Sequence, residues 1–106
     1  MSFIAEPMLN EELDDLIKEL IPWYLLSEQE NVVLLEKALE KRDFAFLIEL
    51  GDKMYGHGQT YGFPLISVLG KRIEIAAIAQ DVFLLSSLIS SLKSYVKENI
   101  KARNLE

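Results

Sequence analysis

The sequence predicts an all-α protein: an antiparallel up-down-up-down four-helix bundle with an additional short N-terminal helix, residues 1–106 forming one domain. Three observations predict it. Nothing alternates apolar and polar residues over more than a few positions, and no Asn-Gly or Asp-Gly joins two β-rich runs. Apolar residues instead recur at spacings of three and four along the chain. The expected connections are two to four residues long, which forces neighbouring helices to run antiparallel.

The elements follow in order. Asn10 before Glu11 and Glu12 reads as an N-cap with acids in the first turn, where the helix dipole favours them. Leu13, Leu16, Ile17 and Leu20 form the stripe of a short first helix. Pro22 is expected to end it and to open a second helix carrying Leu25, Val32, Leu35 and Leu39, with Glu28, Glu30, Glu36 and Lys37 outside. Asp43 caps the next helix, whose stripe is Leu47, Leu50, Met54, Gly58 and Tyr61. Gly62 stands where a left-handed residue closes a helix, and Pro64 opens the following one. That segment carries Leu65, Leu69, Ile73, Ala76 and Ala77, with Lys71, Arg72 and Glu74 among its polar positions, Lys71 and Arg72 being read as solvated. Asp81 caps the last helix, striped by Val82, Leu85, Ile89, Leu92 and Val96.

Composition narrows the function classes. Eleven Lys and Arg stand against 17 Asp and Glu, a net charge of −6, which speaks against nucleic acid or an anionic membrane as partner. With no cysteine and one histidine, disulfides, thiol catalysis and transition-metal sites are not expected, and the acids of the first helix read as a solvated helix start. The opening ten residues lack a leader pattern and no stretch approaches the ~20 apolar residues of a membrane span, so a cytoplasmic monomer without cofactor is expected. No catalytic triad, phosphate-cradling loop or pair of hydrolytic carboxylates is visible, which makes an independent enzyme the least favoured outcome.

One segment is not generic. Residues 51–63 read Gly-Asp-Lys-Met-Tyr-Gly-His-Gly-Gln-Thr-Tyr-Gly-Phe. Gly51, Gly56 and Gly58 together cost roughly 3 kcal/mol of helix propensity against alanine, so a close neighbour or a close partner must account for them. At ~100° per residue, Asp52, Tyr55, Gly56 and Gln59 share one face, and Met54, Gly58 and Tyr61 the opposite one. Gly58 then reads as a packing glycine and Gly56 as a flat spot that another molecule approaches.

This segment resembles the signature of histidine phosphotransfer (HPt) domains. There a helix carries a phospho-accepting His, a Lys three residues later, a Gly, then a small residue and a downstream Gly. The match runs from Asp52-Lys53-Met54-Tyr55-Gly56-His57-Gly58 through Tyr61-Gly62-Phe63. Leu20-Ile21-Pro22, Asp43-Phe44 and Gly70…Glu74…Ala76-Ala77 extend it over about residues 10 to 100. The resemblance implies a module of two-component phosphorelays, with a response-regulator receiver domain or a sensor histidine kinase as partner. It also implies a departure: Asp52 stands where the phospho-His would be and Tyr55 where the Lys would be. The chain is therefore similar to a degenerate HPt protein with no catalytic residue, whose Asp52, Tyr55, Gly56 and Gln59 form a partner-binding face.

Alternatives stay open at this point. His57 is a possible phospho-acceptor, although five residues place it ~140° around the helix from Asp52. Asp52 is drift, a selected change, or a replacement of a parental His. A helical bundle of unrelated function is the remaining possibility.

Overall fold

The computed structural model describes residues 10–105. The expectation of no leader in the opening residues lies outside that range, as does the side chain of Asn10. Four helices and no strand are present among the described residues: α1 (Asn10–Glu40), α2 (Phe44–His57), α3 (Pro64–Ile78) and α4 (Val82–Ala102). Each helix packs against two others in a ring, α1–α2–α3–α4 and back to α1, with α2–α3 the most extensive contact and none across the diagonals. Leu25, Leu35, Leu47, Met54, Ile66, Ile73, Leu85 and Leu92 fill the centre and are fully buried. No described helix is long and apolar enough to cross a membrane.

The turns that close the four helices are alike, although for α2 the closure comes one turn beyond its last residue, His57. A residue with positive φ follows the last turn (Arg42, Gly62, Gln80, Asn104). The next N–H then reaches back to a carbonyl five residues earlier: Asp43 to Ala38, Phe63 to Gly58, Asp81 to Ala76, Leu105 to Ile100. Asp43 and Asp81 also open the following helices, their carboxylates accepting from the N–H of Phe46 and Leu84 at 3.1 Å. One residue thus closes one helix and starts the next, and this keeps the α1–α2 and α3–α4 turns to residues 41–43 and 79–81.

Four expectations are corrected. The helix expected to carry its stripe through Tyr61 and close at Gly62 ends at His57 as α2, so the α2–α3 connection is residues 58–63, longer than the expected two to four. Among the described residues there is no separate N-terminal helix: α1 runs unbroken for 31 residues with Pro22 inside it. Proline removes one hydrogen bond and costs about 3 kcal/mol in a helix interior, but Pro22 is exposed, where water satisfies the orphaned carbonyl. Glu28 is not on the outer side but buried, at 1% exposure. Its place three residues after Leu25 and four before Val32 sets it in the apolar stripe. Leu65 is exposed, and Ile66 occupies the core position instead.

Candidate functional site

The residues singled out in the sequence lie on α2 and just beyond it: Asp52, Tyr55 and Gly56 are on the helix and Gln59 is in the turn that follows His57. Asp52, Tyr55, Gly56 and Gln59 are all exposed, while Leu47, Leu50, Gly51 and Met54 are buried on the other side. What holds α2 in this rotation is a glycine seam with α3. A Cβ on Gly51 would lie 2.7 Å from the Gly70 carbonyl oxygen, and one on Gly70 would lie 2.7 Å from the Gly51 carbonyl oxygen. A Cβ on Gly58 would come within 2.5 Å of the Ser67 backbone nitrogen, so Gly58 is the packing glycine its spacing suggested. The Ser67 hydroxyl oxygen accepts from the Gln59 N–H at 2.8 Å and ties the end of α2 to α3. Gly56 is different: a Cβ there meets nothing within 4 Å.

Sequence reasoning missed the cation beside this face. Lys71, from α3, places its ammonium 5.1 Å from the centroid of the Tyr55 ring and pairs with Glu74 at 3.0 Å. Glu74 chiefly, and to a smaller extent Tyr55 and Asp52, hold the Lys71 ammonium above its usual range. The available signal was indirect: Lys71 follows Gly70, which packs against Gly51 of α2, so it emerges at the edge of the seam.

His57 is positioned elsewhere. It ends α2 half-buried, its Nδ1 2.9 Å from the Tyr24 hydroxyl of α1 and its ring edge-on to the Tyr24 ring. Burial lowers the imidazole's affinity for a proton. Burial also raises the Tyr24 hydroxyl far above its usual range, with Glu28 next in effect and Tyr61 and Tyr95 after it. Tyr24 is therefore assigned as the donor to a neutral ring protonated on Nε2. Tyr61 stacks on Tyr24 at 4.2 Å, Phe63 lies 5.9 Å from Tyr24, and Tyr95 meets Phe63 edge-on at 6.4 Å. The aromatic pair of Tyr61-Gly62-Phe63 thus plugs the bundle end, with Gly62 supplying the left-handed turn at φ 87°.

Beneath this plug lies the second group the sequence hid. Glu28 Oε2 accepts from Asn31 Nδ2 at 2.8 Å, while Oε1 is buried without a hydrogen-bond partner. Burial pushes the carboxyl up to about 7, against the smaller opposing effect of Asn31. A groove of about 450 Å³ between α1 and α4 is lined by Val32, Val33, Val96 and the Glu36–Lys93 pair. It belongs to α1 and α4, and none of its lining residues is on α2.

No protein-family model, curated protein or solved structure matches the chain.

Proposed function

We propose that this protein is an HPt-like module of a two-component phosphorelay that docks a receiver domain or a histidine kinase through the outer face of α2 without carrying phosphate. The observation that supports this most is Gly56. A glycine within a helix costs about 0.5–1 kcal/mol, and here no neighbour needs the space. Around it stand an exposed aromatic that is 51% accessible, a carboxylate, an amide and the Lys71 cation, a mixture suited to a protein partner. The cytoplasmic setting and the antiparallel order of the helices belong to the same proposal, the latter supported by the three-residue α1–α2 and α3–α4 turns.

Asp52 is a poor substitute for the missing imidazole. Transfer between aspartyl phosphates needs a neutral nitrogen nucleophile that leaves again easily, and a carboxylate offers neither that nucleophile nor its reach. Nor does it copy a phosphorylated side chain, which carries about −1.5 to −2 charge and three acceptor oxygens. Lys71 supplies charge from the neighbouring helix, where the family places it on the motif helix itself. Its ammonium is paired with Glu74 at 3.0 Å.

Titration of the chain with receiver domains from the same organism tests the docking. Gly56→Leu fills the flat spot without touching the core, so a receiver that binds the parent should bind this variant at least tenfold more weakly with no fall in melting temperature. Equal affinities for the two chains would overturn the assignment of the face.

A further inference from the structure

The apolar stripe of α1 does not end where the bundle ends. Tyr24 is the first residue of α1 in the core, held by the aromatic plug from the α2–α3 connection. Before it, Leu13, Leu16 and Leu20 are 43%, 45% and 39% exposed, and Trp23 is 61% exposed. Ile17 and Ile21, between them, are only partly covered. At 1.5 Å per residue, Asn10–Leu20 extends the helix by about 16 Å, three turns, beyond Ile21. The stripe is in register with the core-facing side of the same helix: Leu13, Ile17, Leu20 and Tyr24 succeed one another at steps of three and four.

The flanks of this stripe define what can cover it. At ~100° per residue, Glu12 and Glu19 border one edge of the stripe and Asp14 the other, all exposed, while the single Lys18 stands behind it with Glu11 and Asp15. A second copy would bring two such acidic helices together, with like charges at the positions that border a helix–helix seam. An anionic membrane meets the same repulsion. A helix with an apolar stripe and Lys or Arg along its edges matches both the leucines and the carboxylates.

We infer that residues 10–23 of α1 are a docking helix for a basic amphipathic helix of another protein, seated on Leu13, Leu16, Leu20 and Trp23. This surface is separate from the α2 face and stands whether or not that face binds a receiver. Trp23 is the one tryptophan in the chain and serves as the reporter. The full chain is titrated with a 21-residue peptide of leucine stripe and lysine flanks, and with its glutamate-flanked counterpart. The lysine peptide should saturate at one per chain with a blue shift of Trp23 emission and weaken as salt rises, and the glutamate peptide should not bind.

The Leu16→Asp/Leu20→Asp double variant removes apolar surface while adding negative charge. It should lose at least tenfold in affinity for the lysine peptide with its thermal melt unchanged. Ile78→Asp/Phe83→Asp, at exposed apolar residues far along the chain, should leave the affinity as it was. Equal binding by the Leu16/Leu20 variant would show bulk charge attraction and overturn the inference, as would an equal loss in the Ile78/Phe83 variant. A parent chain that sediments as a dimer, dissociated by the Leu16/Leu20 changes, would overturn it in favour of a second copy. Failure of the lysine peptide to bind would overturn it as well.

Discussion

The two faces of α2 use the same residue for opposite ends. On the inner face Gly51 and Gly58 stand where a Cβ would strike the backbone of α3, and Gly70 answers from α3. On the outer face Gly56 stands where a Cβ would meet open space. The inner glycines are explained by packing density, since interiors hold few voids and a methyl group there has nowhere to go. The outer one has no such explanation within the chain. Glycine content alone says nothing about function; its surroundings do.

The largest effect expected from breaking this contrast is on the inner side. Gly70→Leu and Gly58→Leu should each cost about 3 kcal/mol in chemical denaturation, because the obstructing atoms are backbone and cannot swing aside. A loss below 1 kcal/mol for both would mean that the α2–α3 seam is looser than described.

Next in size is a contrast on α1, where Glu28 is buried and Glu30, two residues on, is exposed. The Glu28 carboxyl is raised from the ordinary 4.5 to about 7 in the folded chain, so the fold binds its proton more tightly than the unfolded chain does. Its contribution is whole below about pH 4.5 and declines as pH rises through 7, by about 3 kcal/mol at most. His57 acts in the other direction: its depressed affinity favours the fold above the ordinary 6.5 and is lost as pH falls. Glu28→Met should therefore gain about 1–3 kcal/mol at pH 8, little at pH 4.5, and flatten the profile between them. Glu30→Met should change stability by less than about 0.5 kcal/mol at any pH. Equal pH profiles for parent and Glu28→Met would contradict the burial of that carboxylate.

The smallest stability effect expected is on the outer face of α2. Gly56→Ala should stabilise by about 0.5–1 kcal/mol, the ordinary helical gain. A destabilising Gly56→Ala would place Gly56 in the seam and erase the contrast.

Local rules made much of this fold legible. Asp43 and Asp81 do at the helix ends what their chemistry suggests, Gly62 takes the left-handed turn but five residues beyond the end of α2, and the 100° rotation separates Gly58 from Gly56 correctly. What stayed hidden depended on other segments or on solvent. Gly51 and Gly70 explain each other only across two helices, and Lys71 reaches Tyr55 by the same crossing. Glu28 sits at a stripe position, but an acid there reads as outward until its neighbours are in place. Pro22 carries a helix-breaking penalty that an exposed position reduces by hydration. The stripe from Leu13 to Leu20 is visible in the sequence, but whether anything covers it is a property of where the other helices stop.

Label transfer from a phosphorylated receiver domain tests most directly whether the α2 face docks a partner without carrying phosphate. The receiver is incubated with the parent chain, with Asp52→His, and with Asp52→His/Tyr55→Lys, and bound and labelled protein are scored separately. Position 55 is one turn from position 52, so a lysine there can stabilise the charge that develops on the phosphoryl oxygens in transfer. The parent should bind and take no label, the single variant should take little, and the double variant more. Label on the parent would contradict the account, and so would single and double variants that bind the receiver yet are equally inert.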